Sequence, residues 1–212
     1  MFPLLLIAAC SAATPTSPAV PPVDRNAPAT LPAPTSTQAV AVFAGGCFWC
    51  MESDFDALPG IIATTSGYAG GHTAMPTYED VTTETTGHAE AVRVVYDTGK
   101  LTYDQVLDWY WHHTDPTDGG GQFCDRGDSY RPAIFYGDDA QKKAAEASKA
   151  AIDAKHVLSG PIVTQIVPVG TFYAAENYHQ DFHHTNPGRY VPYRLGCGRD
   201  ATTRAVWAAE AK

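Results

Sequence analysis

The stretch AVFAGGCFWCMESDF, residues 41–55, changes its hydrophobic period in the middle. Up to Gly45-Gly46 the chain is a short apolar run, AVAVFA, of the kind that fills a buried strand. Beyond it, Phe48, Met51, Phe55 and Leu58 recur at helical spacing as one stripe, which Pro59-Gly60 ends. The body is therefore expected to begin as strand, glycine turn and helix, with Cys47 in the helix's first turn. There the unpaired backbone N–H groups and the positive end of the helix dipole favour a thiolate. Phe48 lies on the stripe, whereas Trp49 stands off it beside Cys47, so an aromatic wall around a nucleophilic sulfur is expected. The two glycines are expected to let another molecule approach the backbone closely.

Working outward, IIATTSGYAGG (61–71) and GHAEAVRVVYD (87–97) read as strands. In the second, His88, Glu90, Val92, Val94 and Tyr96 share one face, which sends the Glu90 carboxyl inward. A buried carboxyl has a raised pKa and suits a general acid; a strand-end glutamate paired with Arg93 is the plainer reading. Thr102 and Gln105 form a capping box ahead of a stripe of Tyr103, Val106, Leu107 and Tyr110. RPAIFYG (131–137) is another strand, Asp138 caps a helix over 139–156, and PIVTQIVPV (161–169) is a further strand. The order predicts an α+β fold: a ferredoxin-like α/β plait with additional helices and a loop-rich C-terminal tail.

The first ten residues, MFPLLLIAAC, resemble an export signal whose Ile7-Ala8-Ala9-Cys10 matches a lipobox, with Cys10 as the lipidated residue. Residues 11–37 contain seven prolines and no aromatic residue, the composition of an extended tether. The expected organisation is a signal peptide over 1–9, a Pro/Ala/Thr-rich tether over 10–37 and a globular domain over 38–212. That places the domain in the cell envelope, on the periplasmic face, touching the membrane only through its lipid anchor. A formal charge of −9 with 14 Lys+Arg excludes a phosphate-binding basic face, so no nucleic-acid partner is expected. A monomer is the default.

GGGQFCDRGDSYRPAIF (119–135) brings Asp125, Asp128 and Tyr130 to the start of a strand, where sites often form. His112-His113, and His179 with His183 four residues on, have no acidic or thiol partner at a recognisable ligand spacing, so no metal is expected. Cys47-x-x-Cys50 admits a different class, an exported thiol–disulfide oxidoreductase. A non-enzymatic binding module with an inert Cys47 is a third possibility.

Together, GGCFWCMES, LPG, GYAGG, PTYEDV, TGHAEAVRVVYD, HHTDPT, DRGDSYRPAIF, YHQDF and NPGRY resemble the A-type peptide methionine sulfoxide reductases. The match runs from about residue 40 to about residue 200. The resemblance implies thiol-dependent reduction of methionine S-sulfoxide, free or in proteins, as a repair of oxidative damage. It implies Cys47 as nucleophile, Phe48 and Trp49 around the S-methyl group, and Glu90 as the acid that protonates the sulfoxide oxygen. Tyr78 and Tyr130 would hydrogen-bond that oxygen, and Asp125 would line the pocket, although Phe123-Cys124 stands where Gly-Asn is more familiar. Cys47 would become a sulfenic acid, then a disulfide. A thioredoxin-like dithiol is the implied reductant, with no bound cofactor. Cys197, flanked by Gly196 and Gly198 in a tail able to swing inward, is the expected resolving cysteine, with Cys50 and Cys124 as alternatives.

Overall fold

The structure, a computed structural model, describes residues 24–210. The expected signal peptide and Cys10 lie outside the described residues. Strand β1 (Gln38–Ala44) ends at Gly45-Gly46, and helix α1 (Phe48–Asp56) follows. A Cβ on Gly45 would stand 2.6 Å from the Thr114 methyl. Gly46 has φ +84°, and a Cβ there would meet Gln122 at 2.8 Å. The glycines thus let the chain pack on itself; the approach of another molecule expected from the sequence is not their use.

Strand β2 (Ile61–Ala69), helix α2 (Tyr78–Thr82) and strand β3 (Ala89–Asp97) follow. Helix α3 (Tyr103–His112) carries the capping box at Thr102 and Gln105. The strands β4 (Gly121–Gln122) and β5 (Asp125–Arg126) form a small hairpin of their own. Strand β6 (Ala133–Tyr136) leads to α4 (Asp139–Lys155), β7 (Gln165–Pro168) and β8 (Tyr173–Ala174). The chain closes with α5 (Phe182–Thr185), α6 (Pro187–Cys197) and α7 (Arg199–Val206). The tail expected to be loop-rich is therefore largely helical. Its glycines and prolines sit at helix ends instead of breaking structure: Pro187 opens α6 and Gly198, in the left-handed conformation, closes it.

The main sheet runs β7-β6-β1-β3-β2-β8. β1 and β2 both pair antiparallel with β3, so they run parallel to each other with β3 between them and α1 as their connection. β3 and β6 flank β1 in the same way, connected through α3. Helices α1 and α3 pack on the face that carries Ala41, Phe43, Val92, Val94 and Tyr96. There Phe43 stacks on Phe55 at 5.2 Å and on Tyr110 at 4.9 Å. The other face is also covered, by Phe135 and Val42 with Val169 and Phe172 packed against them. β3 is consequently buried on both sides, and its alternation does not mark a solvent face.

The last part of the proline-rich segment is not a free tether. The Ala29 N–H donates to Ala175 O at 2.9 Å, and the Asn177 N–H to Ala27 O at 2.9 Å. These backbone bonds dock residues 25–29 beside β8, a role that composition alone does not encode.

One buried ion pair ties the tail to the glycine turn. Arg199, 2% exposed, donates to Asp54 in α1 (3.0 Å), to Gly45 O (2.9 Å) and to His113 O (2.8 Å). Arg194 holds the other Asp54 oxygen at 2.7 Å. Removing one partner of such a pair strands a charge in a dry site, at about 3–5 kcal/mol. Arg199→Ala is expected to lower the melting temperature by on the order of 10 °C. Arg204→Ala, on the exposed side of α7, is expected to change stability by no more than about 0.5 kcal/mol; thermal unfolding of both variants checks this.

Candidate active site

The turn between β1 and α1 leaves Cys47 as the N-cap of α1, 6% exposed. Its sulfur faces a cavity of about 90 Å³ lined by Cys47, Phe48, Trp49, Tyr78, Glu90, Asp125, Tyr130 and Tyr193. A larger hollow of about 540 Å³, between His113 and Trp207, contains no cysteine and lies apart from this chemistry.

Glu90 reaches the site from the second position of β3, and its Oε2 accepts the Phe48 N–H at 2.9 Å. That N–H is one of the unpaired donors at the start of α1, so a single bond fixes both the carboxyl and the helix start. The pairing with Arg93 does not form. Burial raises the Glu90 pKa to about 8, opposed by the Phe48 N–H and assisted by Asp125. The carboxyl is thus neutral at pH 7 and able to donate.

For Cys47 the outcome differs from the sequence expectation. Burial pushes its thiol well above the ordinary value, with Cys50 and Glu90 adding to the effect. The helix start does not offset this desolvation, so the resting sulfur is a neutral thiol. Cys50, one turn on and buried against Phe182 and Tyr190, has its pKa lowered, chiefly by the neighbouring Cys47 thiol.

The walls are aromatic and held by polar anchors. Trp49 stacks on Phe182 at 3.7 Å and donates its indole N–H to His179 Nδ1 at 3.1 Å. Burial lowers the His179 pKa to about 4, so this imidazole is neutral and packs against Phe48 and Tyr78. Tyr78 opens α2, its backbone N–H held by Glu176 at 2.9 Å. Tyr130 ends a 3-10 turn that Glu84 pins by accepting the Ser129 N–H and hydroxyl at 2.9 and 2.6 Å. Burial keeps both phenols protonated, Tyr78 at about 12 and Tyr130 higher, so each is a hydrogen-bond donor.

Asp125 begins β5 and accepts the Tyr193 hydroxyl at 2.6 Å. Tyr193, in α6, lines the same cavity, and its hydroxyl draws the Cys47 pKa downward against the effect of burial. Sequence reading missed Tyr193; its position four residues before Cys197, on the same helix face, is the signal that could have found it. Glu176 and Glu84 had no such signal, because their partners lie 98 and 45 residues away. Asp128 points elsewhere and pairs with Arg131 at 2.9 Å. Of the histidines, His112 pairs with Glu210 and His183 with Asp56, an acidic neighbour that linear spacing could not reveal.

Cys124 and Cys197 form a disulfide, while Cys47 and Cys50 are free. The bond joins the β4–β5 turn to the end of α6, and Cys197 Sγ lies 3.8 Å from Asp125 Oδ2. Cys197 is thus beside the cavity, paired with the exposed Cys124.

A family profile described as peptide methionine sulfoxide reductase matches residues 39–211. The chain belongs to the peptide methionine sulfoxide reductase family. It is 52% identical over 168 residues to peptide methionine sulfoxide reductase MsrA of Bacillus licheniformis, covering 79% of this chain and 93% of that one. It is 54% identical over 185 residues to MsrA 2 of Caulobacter vibrioides, covering 87% and 92%. Among solved structures, methionine sulfoxide reductase A of Corynebacterium diphtheriae superposes with a TM-score of 0.65 at 33% identity, covering 72% and 77%. Mxr1 of Saccharomyces cerevisiae in reduced form superposes with a TM-score of 0.67 at 29% identity, covering 72% and 87%. The same yeast protein in complex with Trx2 superposes at 0.51 with 23% identity, a likeness of fold. The reductase is thus of the A type, a peptide-methionine (S)-S-oxide reductase on a mixed α+β scaffold.

Two buried carboxyls make its stability pH-dependent. Glu52 in α1 accepts the Asp181 N–H at 3.1 Å and, like Glu90, is raised by burial from 4.5 to about 8. Between those values the unfolded chain loses protons that the folded chain keeps. Their contribution is full below about pH 4.5 and is lost as pH rises through about 8. Melting temperature is expected to fall from pH 5 to pH 9, and Glu52→Gln to melt roughly 5 °C above wild type at pH 8.

Proposed function

We propose that the reductase turns over through Cys47 and Glu90 acting on one sulfoxide group in the small cavity. The observation that carries this is the Glu90 carboxyl, neutral at pH 7 and fixed at the Phe48 N–H beside Cys47. The S-methyl group lies against Phe48 and Trp49. The oxygen accepts hydrogen bonds from Tyr78 and Tyr130, and Glu90 transfers its proton to it. Protonation makes the sulfoxide sulfur electrophilic, and the Cys47 sulfur attacks it. The thiol proton returns to Glu90, the oxygen passes to Cys47 as a sulfenic acid, and methionine leaves. No external proton is consumed in this half-reaction. Cys197 is the resolving thiol, and S is the epimer handled.

The substrate class is oxidised methionine, free or in proteins and peptides. The co-crystallisation of yeast Mxr1 with Trx2 supports a thioredoxin-like dithiol as reductant, with no prosthetic group. We also read the β6-β1-β3-β2 order, with α1 and α3 on one face, as a ferredoxin-like plait. Anchoring at Cys10 and an envelope location complete the proposal, resting on the sequence of residues 1–37, with a monomer as the default state. A Cys47–Cys50 dithiol oxidoreductase has no support in the family match, and both thiols are free.

The test is a single turnover of the reduced chain with one equivalent of N-acetylmethionine S-sulfoxide. Wild type is expected to form one equivalent of methionine product, and Cys47→Ser none; product from Cys47→Ser would refute the assignment. Glu90→Gln is expected to slow this step by about 10²–10⁴-fold. In wild type the single-turnover rate should fall as pH rises through about 8, where Glu90 ionises, and the variant should lack that limb.

A further inference from the structure

The ends of α1 and α5 bring together three side chains that the reaction does not use. Asp56 is the last residue of α1, and His183 and His184 lie in the single turn of α5. A carboxylate oxygen of Asp56 and one nitrogen from each ring all lie within 4.8 Å of one another. Along the chain the histidines have no acidic partner at a ligand spacing; the fold supplies one from α1. Cys47 stands at the opposite end of that helix, about 13 Å away along its axis, so this cluster is separate from the cavity already described.

Distance, an unsatisfied ring and a fixed carboxylate set the cluster apart from an ordinary surface pair. Asp56 Oδ2 lies 3.3 Å from His183 Nε2. That is longer than a charge-assisted hydrogen bond of about 2.7–2.9 Å. It matches the edge of a tetrahedron whose bonds to a central ion are about 2.0 Å, which is about 3.3 Å. The His183 side chain is 8% exposed, and its Nδ1 is buried without a hydrogen-bond partner. Burial, with His184 adding to it, lowers the His183 pKa, so the imidazole is neutral at pH 7, the form that ligates a metal. Attraction between opposite charges therefore does not account for its approach to Asp56. The other carboxylate oxygen, Oδ1, accepts the Thr64 hydroxyl at 2.7 Å, which fixes Asp56 and leaves Oδ2 toward His183. Metal-bound carboxylates are held by outer hydrogen bonds of this kind.

We propose that Asp56, His183 and His184 form a zinc site that joins α1 to α5. Two imidazoles and one carboxylate are a donor set that zinc takes with an open fourth position, which water fills. His184 is exposed, so its ring is free to turn in and the ion has a path from solvent. Phe182, the residue before His183, stacks on Trp49 at 3.7 Å. An ion held here ties the aromatic wall of the cavity to the far end of α1. The role is structural and needs no contact with the sulfoxide.

The test titrates Zn²⁺ by calorimetry into the full-length chain with Cys124–Cys197 oxidised and Cys10→Ser, Cys47→Ser and Cys50→Ser in place, so that no thiol competes for the metal. One Zn²⁺ per chain is expected, with a rise in melting temperature at saturating zinc that EDTA reverses. In that background, His184→Ala removes an exposed ring and Asp56→Asn keeps the shape of the carboxylate, and each is expected to bind Zn²⁺ at least about tenfold more weakly. The wild-type chain, whose thiols add sites of their own, should lose one bound Zn²⁺ on His184→Ala; this arm holds even if the cysteine-substituted chain does not fold. No Zn²⁺ bound by the folded, cysteine-substituted chain, or Zn²⁺ bound equally by both variants, would overturn the site. So would an unchanged zinc count in wild type carrying His184→Ala.

Discussion

The hydrogen bond from the Phe48 N–H to Glu90 meets two complementary requirements at once. A helix start needs an acceptor for its first N–H groups, and a buried carboxyl needs a donor or a proton. Here each answers the other across 42 residues of sequence. The split connection makes this possible, because β3 lies between β1 and β2 and so passes directly beside the turn that begins α1. A lone N–H does not outweigh the loss of hydration, so the carboxyl stays protonated near neutrality. The same burial holds the Cys47 thiol neutral. In the proposed mechanism Glu90 supplies the proton that makes the sulfoxide sulfur open to attack, which lessens the need for a preformed thiolate.

Around this pair, the rest of the site is positioned from outside. Tyr78 is set by Glu176, Tyr130 by Glu84 through Ser129, and Trp49 by His179 and Phe182. Arg199 fixes the glycine turn itself through Gly45 O and Asp54. The reacting groups lie on four separate segments, yet each is anchored by a buried polar partner. This satisfies the demand for sub-ångström placement without long rigid elements.

Local pattern carried much of this into the sequence. The period change at Gly45-Gly46 announced strand and helix, the Thr102/Gln105 box announced α3, and the inward phase of Glu90 marked a buried carboxyl before any partner was known. What local pattern does not encode is tertiary compensation. The helix start at Cys47 suggested a thiolate, but burial by residues far along the chain reverses the sign. The glycine- and proline-rich tail suggested loops, yet Pro187 and Gly198 bound a helix. Residues 25–29 read as tether because their backbone partners, 175–178, are invisible to composition. Glu84 and Glu176 share that cause.

The account depends most on a neutral Glu90. Carbon-13 NMR of chain labelled at glutamate side-chain carboxyls reports this directly, with the Glu90 resonance assigned by its loss in Glu90→Gln. The account predicts a protonated carboxyl shift at pH 7 that titrates near pH 8. A resonance already at the carboxylate position at pH 6 would contradict it.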